Sequence, residues 1–267
     1  MQTTTYLDRV RPAIGQVGER LAVLVTTAPD PDLPVPNSPD WTVREVTAHV
    51  VTVAPRYAAG PDHRGTWVQD PRELPELNRA ELRALGTGSM AELAGRLRHD
   101  LTALCEQVEG YGAAPPSFRF HGGELVPADT ALGILLAELV VHGWDIAQAL
   151  RRPWPIDPGH VALILEGLAP IVPGWVDPER ARGLTATVQV RLRGQATHVF
   201  QFRDGRLRVD PDGEPPIDVR ISGDPAALLL VLYRRQSPWP HIARGRLVAW
   251  GRRPWLAPSF AGRFHKP

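Results

Sequence analysis

Residues 127–151, Pro-Ala-Asp-Thr-Ala-Leu-Gly-Ile-Leu-Leu-Ala-Glu-Leu-Val-Val-His-Gly-Trp-Asp-Ile-Ala-Gln-Ala-Leu-Arg, constrain the fold more than any other stretch of this chain. Leu132, Leu135, Leu136, Leu139, Ile146 and Leu150 recur at three- and four-residue steps, the period of a helix that buries one face. Glu138 and His142 stand at i and i+4, so their side chains lie one above the other beside the leucine stripe, with Asp145 one turn further on. An acid and an imidazole so placed can reach one cation. The same pair, bordering an apolar stripe, can equally meet solvent or a hydrogen-bond partner.

Three other stretches have a helical texture. Leu7, Val10, Ile14, Val17, Leu21 and Leu24 predict a first helix over residues 5–28, ended by Pro29. Prolines at 29, 31, 34, 36 and 39 then require an extended, stiff link. Thr42 and Glu45 carry the spacing of a capping box, in which hydroxyl and carboxylate satisfy reciprocal backbone amides, and they open a second helix. Its stripe is Val43, Val46, Val50, Val53, Ala54 and Tyr57, and His49 projects beside it. From Gly60 to Gly88 the pattern breaks, and the stretch reads as a long crossover with a short helix at 76–85. Ser89 and Glu92 repeat the capping signature ahead of Leu93, Leu97, Leu101, Leu104 and Val108, the third helix, and a glycine- and proline-containing loop over 110–126 leads to the fourth. Four amphipathic helices with one long crossover predict a four-helix bundle over residues 1–152, an architecture that builds metal sites from facing helices.

The prolines of Arg151-Arg-Pro-Trp-Pro155 mark a domain junction, and beyond it the texture changes. An apolar helix over 157–172 is followed by strict alternation from Thr185 to Leu192, then by Val199–Phe202 and Leu207–Val209 around Asp204-Gly205. Ile217–Ser222 and Leu247–Trp250 read as further strands, and Asp224-Pro225 as the cap of a helix through Arg234. Residues 153–267 are thus expected to form an antiparallel sheet with helices, and the chain to be an α+β two-domain protein.

Composition narrows the function classes. Lysine and arginine total 30 against 29 acids, a balance that offers no basic surface for nucleic acid. The chain opens on polar threonines where a secretory leader needs a basic patch and an apolar core, and no stretch reads as a membrane span, so a cytoplasmic protein without membrane partners is expected. Cys105 is the sole cysteine, which excludes an internal disulfide, a redox pair and a multi-cysteine zinc site. Its neighbours Leu101, Leu104 and Val108 point to an inert core thiol.

Asp40-Trp-Thr-Val-Arg-Glu-Val-Thr-Ala-His49, Glu138-Leu-Val-Val-His-Gly-Trp-Asp-Ile-Ala147 and Ile221-Ser-Gly-Asp-Pro-Ala-Ala-Leu-Leu-Leu-Val-Leu-Tyr-Arg234 resemble the actinobacterial mycothiol-dependent maleylpyruvate isomerase family. The resemblance implies an N-terminal DinB-like four-helix bundle joined to a C-terminal domain similar to sterol carrier protein 2. It also implies a divalent metal, usually zinc, held by His49, Glu138 and His142. Two imidazoles and one carboxylate also suit iron and other divalent ions. Asp145 is the candidate catalytic residue, as an acceptor orienting His142, with an ordinary structural hydrogen bond as the alternative. Trp144 reads as packing, and His121, His160, His198 and His241 as surface or loop residues. In the family the second domain contributes an arginine to the active site; Arg234, Arg235, Arg244, Arg246, Arg252 and Arg253 are the candidates, most of them expected on a solvated face.

Mycothiol would supply the thiol. Lowering a thiol pKa by about two units gains roughly 30-fold in thiolate and gives back about 8-fold in nucleophilicity, so acidity alone nets about fourfold and positioning must supply the rest. The expected function is therefore a metal- and mycothiol-dependent addition to an electrophilic small molecule, as isomerase or S-transferase, in a monomer or weak homodimer. The alternative is a non-catalytic carrier whose second domain binds a lipid or other apolar ligand.

Overall fold

The computed structural model describes residues 5–58, 67–86, 88–111 and 115–266. Two compact units make up the chain: Met1–Phe120 with Leu125–Ile156, and His121–Glu124 with Asp157–Pro267.

In the first unit α1 (Tyr6–Thr26) starts at Thr5, whose hydroxyl accepts from the Asp8 amide while the Asp8 carboxylate accepts from the Thr5 amide. The proline-rich link is extended, as expected, and pairs into a small antiparallel hairpin of β1 (Pro34–Val35) and β2 (Ser38–Thr42). Short edge strands tolerate proline because one side of each needs no amide donor. Thr42 and Glu45 make the reciprocal bonds expected of them and open α2 (Val43–Ala58). Most of the crossover's first half, residues 59–66, and Thr87 lie outside the described residues. α3 (Leu74–Leu85) buries no residue of its own and is held to α2 by the buried Arg56 guanidinium, which donates to Glu81 and, over 2.6 Å, to Asn78. Ser89 and Glu92 box the start of α4 (Met90–Glu109).

The loop expected over 110–126 contains a second hairpin, β3 (Ser117–Arg119) with β4 (Leu125–Pro127), whose paired Phe118 and Val126 point inward. It leads into α5 (Ala128–Ala149). α1 and α2 each pack against both α4 and α5, so α2 and α5 are neighbours around the bundle. Ile14, Leu21, Leu97, Leu132, Leu135, Leu136 and Leu139 are completely buried between them. α5 is long and apolar enough to cross a membrane by length and hydropathy alone, contrary to the expectation that no stretch would be. Its most apolar window is 78% buried by the bundle, which makes it a core helix.

The segment after α5 returns to the bundle. Trp154 is buried, donates from Nε1 to the Val140 carbonyl over 3.0 Å, and carries the Arg20 guanidinium 4.1 Å above its ring. Arg20 also donates to the Pro155 carbonyl, and Arg152 to the Thr27 carbonyl. The indole fits only because position 143 has no side chain: a Cβ there would lie 2.2 Å from Trp154 Cζ2.

In the second unit α6 (Pro158–Leu168) is capped by Asp157 and stops short of the expected 172, where Pro170 and Pro173 intervene. Strands β5 (Ala186–Leu192), β6 (Thr197–Arg203), β7 (Arg206–Val209) and β8 (Val219–Gly223) follow, then α7 (Pro225–Leu232), α8 (Pro238–Ala243) and β9 (Leu247–Gly251). The sheet order is β7-β6-β5-β8-β9. All neighbours are antiparallel except β5 and β8, which run parallel. Parallel pairing normally needs a long crossover, but β7 ends at the level where β8 begins, since Val209 aligns with Phe200, Phe200 with Val188 and Val188 with Val219. Residues 210–218 therefore only have to cross sideways. α8 had no counterpart in the sequence reading; its six residues are too few to show a helical period.

Gly143→Ala should destabilise the protein by about 1–3 kcal/mol, because the added methyl must displace a hydrogen-bonded buried indole. Gly95→Ala, in α4, where an added Cβ meets nothing within 4 Å, serves as the comparison. Urea denaturation of the two variants, followed by Trp fluorescence and circular dichroism, measures the difference.

Candidate metal centre

The site lies where α2 faces α5. His49 enters from α2, and Glu138 and His142 from successive turns of α5. Glu138 Oε2 is 3.1 Å from His142 Nε2 and 3.7 Å from His49 Nε2. One ligand atom from each of the three residues lies within 4.8 Å of the others. The two imidazole rings meet edge to face, 5.1 Å between centroids, and Trp41 of β2 packs against His49 at the same separation. Asp145 is fully buried, with its Oδ2 3.4 Å from His142 Nδ1 and its Oδ1 accepting from Asn37 Nδ2 at 3.3 Å.

Asn37 and Trp41 were not singled out in the sequence. They reach the site because the β1–β2 hairpin folds back over the start of α2, a pairing between positions that no helical period connects. The proline-rich composition around Asn37 was the available signal for a special turn.

Ionisable groups brought together in an apolar bundle perturb one another. Burial raises the carboxyl pKa of Glu138, but the facing imidazoles of His142 and His49 outweigh it and hold the acid well below its usual range. Burial lowers the pKa of His49, and the facing Glu138 recovers only part of the loss. For His142 burial also opposes the charge, yet Asp145 and Glu138 prevail and push the pKa up to about 9. The metal-free cluster thus holds one imidazolium and one carboxylate at neutral pH, with His49 neutral. Removing two charges from water costs several kcal/mol per ion, and well-packed apolar side chains would serve the core at least as well. Groups kept in such a position are candidates for a function other than stability.

The remaining residues read from the sequence have surroundings of their own. Of His121, His160, His198 and His241, expected at the surface or in loops, only His121 lies in a loop, and all four are buried. His198 occupies an inward position of β6 alongside Phe200 and Phe202 and is 2.7 Å from Asp210 Oδ2; His241 is 2.7 Å from Gln236 Oε1. A single polar partner is enough to bring an imidazole into a core, and that partner is not visible from local pattern. Cys105 is half-buried on α4, and burial raises its thiol pKa. Trp144 is partly exposed. Each of the late arginines has a local partner: Arg234 donates to the carbonyls of Ala261 and Phe264, Arg235 to Tyr233, Arg244 to Pro240 and Arg253 to Thr185, while Arg246 pairs with Asp224 and Arg252 with Asp218.

Fold and site together define a class: a helical bundle with two imidazoles and a carboxylate converging between neighbouring helices, followed by an α+β unit with a five-stranded sheet. The chain belongs to the mycothiol maleylpyruvate isomerase family, whose N-terminal domain matches residues 11–147 and whose C-terminal domain matches residues 161–258. Two crystal structures of the mycothiol-dependent maleylpyruvate isomerase share the fold. One, a histidine-to-alanine mutant, is 16% identical, covering 92% of this chain and 95% of that one with a TM-score of 0.55. The other is also 16% identical, with 86% and 90% coverage and a TM-score of 0.51. Among curated proteins, two uncharacterised proteins of Mycobacterium tuberculosis, from strains CDC 1551 and H37Rv, are each 26% identical over 125 residues. That match covers 47% of this chain and 57% of theirs, so the chain spans little more than half the length of these relatives.

The raised pKa of His142 makes a stability prediction for the metal-free protein. A histidine whose pKa is higher folded than unfolded stabilises fully below its unfolded value, near 6.5, and loses that contribution as pH rises through about 9. Thermal stability of chelator-treated protein should therefore fall between pH 6.5 and 9. In Asp145→Asn, which removes one of the two acids facing the ring, the fall should be smaller and the His142 resonance in NMR should titrate at lower pH.

Proposed function

We propose that this chain is a metal-dependent enzyme that uses mycothiol, adding the thiol to an electrophilic small molecule with isomerisation or S-transfer as the outcome. The observation that carries the reading is the convergence of His49, Glu138 and His142 from two helices, one ligand atom each within 4.8 Å. The 3.1 Å and 3.7 Å separations of Glu138 from the two imidazole nitrogens bracket the roughly 3.4 Å between tetrahedral ligands about 2.1 Å from zinc. The donor set fits a divalent first-row ion, and the family favours zinc.

When bound there, such an ion supplies Lewis acidity and lowers the pKa of a coordinated thiol or water. The protein's own groups do the rest. Three protein ligands leave positions open for an exchangeable partner, as catalytic sites do. Asp145, anchored by Asn37, sits beside His142 Nδ1 and turns Nε2 toward Glu138, the arrangement by which a buried carboxylate fixes a ligating imidazole. Trp41 covers one side of His49 and restricts its ring. Glu138 keeps about a quarter of its side-chain surface exposed, which puts the opening to solvent on its side of the cluster. The nucleophile is external in this reading, because Cys105 belongs to α4 and its burial disfavours the thiolate.

Elemental analysis should find about one divalent ion per chain in the purified protein and little in His49→Ala or His142→Ala; equal metal in all three rejects the site. Loading must also displace the His142 proton. Apparent metal affinity should therefore rise about tenfold per pH unit from roughly pH 6.5 to 8.5 and level off near 9.

The role of the thiol has its own test. Titrating cobalt-substituted protein with mycothiol should produce sulfur-to-metal charge-transfer bands that a thiol-free analogue does not. Identical spectra in the two titrations would remove thiol ligation from the proposal.

A further inference from the structure

The β6–β7 hairpin gathers three arginines that form no ion pair among the described residues. Asp204 and Gly205 take positive φ, of 48° and 77°, and close a two-residue turn that sets Arg203 directly opposite Arg206. One step along the same face, Gln201 is opposite Arg208. Together these four side chains line a cavity of about 290 Å³. Like charges paired across strands repel, and the usual remedy is an acid between them. Among the described residues no carboxylate lies within ion-pair distance of Arg203, Arg206 or Arg208, whereas Arg246 and Arg252 in the same unit are each paired with an aspartate.

The chemistry of the lining specifies the ligand. Gln201 is only 8% exposed, and its Oε1 already accepts from Arg203 Nε at 3.2 Å. Its carboxamide nitrogen and the remaining guanidinium nitrogens are donors, so a matching ligand must be an acceptor on every side. A monocarboxylate leaves most of the charge unbalanced, while a phosphate dianion with its several acceptor oxygens suits forked guanidinium donors. The neighbouring cavity, which Arg203 and Arg208 also border, carries Asp210, Asp212 and Glu214 on its wall. Those acids repel an extended polyanion and leave room for a compact one.

We propose that the turn end of the β6–β7 hairpin is a binding site, built by the second unit alone, for the phosphate group of a small soluble phosphate ester. The probe is inorganic phosphate, compared with acetate at matched ionic strength, in thermal unfolding of the full chain. Phosphate at about ten times its dissociation constant should raise the Tm by roughly 3 °C, with no comparable effect of acetate. The shift should persist in His142→Ala, which separates it from phosphate bound at the candidate metal centre.

Arg206→Ala combined with Arg208→Ala should abolish the phosphate response. In low salt and without phosphate, the same variant should unfold no earlier than the wild type, because cross-strand repulsion is relieved; this distinguishes loss of a site from loss of the fold. Equal shifts with acetate, or a phosphate response retained in the double variant, would overturn the proposal. Co-sedimentation of wild type, but not the double variant, with phosphatidic acid vesicles in place of a response to free phosphate would overturn its assignment to a soluble ester.

Discussion

Burial of α5 on nearly every side is the condition under which the rest of the first unit makes sense. Each fully buried leucine on it contributes about 1.5–3 kcal/mol relative to exposure, and Leu132, Leu135, Leu136 and Leu139 are all at zero exposure. That total is large enough to absorb the several kcal/mol that desolvating a carboxylate costs. Glu138 and His142 can therefore sit on a core helix without unfolding it, provided each keeps a charged or polar partner. The partners come from three elements: α5 supplies Asp145, α2 supplies His49, and the β1–β2 hairpin supplies Asn37 to hold Asp145.

α2 solves a related problem at its other end. Arg56, two turns beyond His49, is 5% exposed and satisfied by Glu81 and Asn78 of α3. A short helix that buries nothing of its own is thus tied down by a charge on its neighbour. Because Arg56 also helps to keep the pKa of His49 low, the clamp on α3 and the neutral state of a candidate ligand are electrostatically linked.

Much of this was legible in the sequence where the relevant relation is local. The i, i+4 spacing put Glu138 and His142 on one face, the capping boxes at Thr42 and Ser89 set two helix starts, and alternation in β5 with short apolar runs and a turn signal beyond it located β5 to β9. His49 could be joined to the other two only through family resemblance, since nothing in its own helix says which neighbour it faces. What escaped were relations between distant positions. The hairpin that carries Asn37 and Trp41, the parallel pairing of β5 with β8 and the burial of His198 beside Asp210 each depend on a partner far along the chain or on the inward side of a strand. Length and hydropathy likewise cannot separate a helix surrounded by protein from one surrounded by lipid, and α5 satisfies both descriptions until its neighbours are known.

The return of Trp154 onto α5 bears on where the chain can be cut. The indole fills the space over Gly143 and caps the Val140 carbonyl, so the bundle's last structural contribution comes after the turn that ends its final helix. An expression fragment ending at Arg152 would expose one flank of α5 immediately beside His142, leaving a greasy groove in place of a packed ring. A fragment carried through Ile156 keeps the indole, the Arg20 stack and the Pro155 carbonyl together.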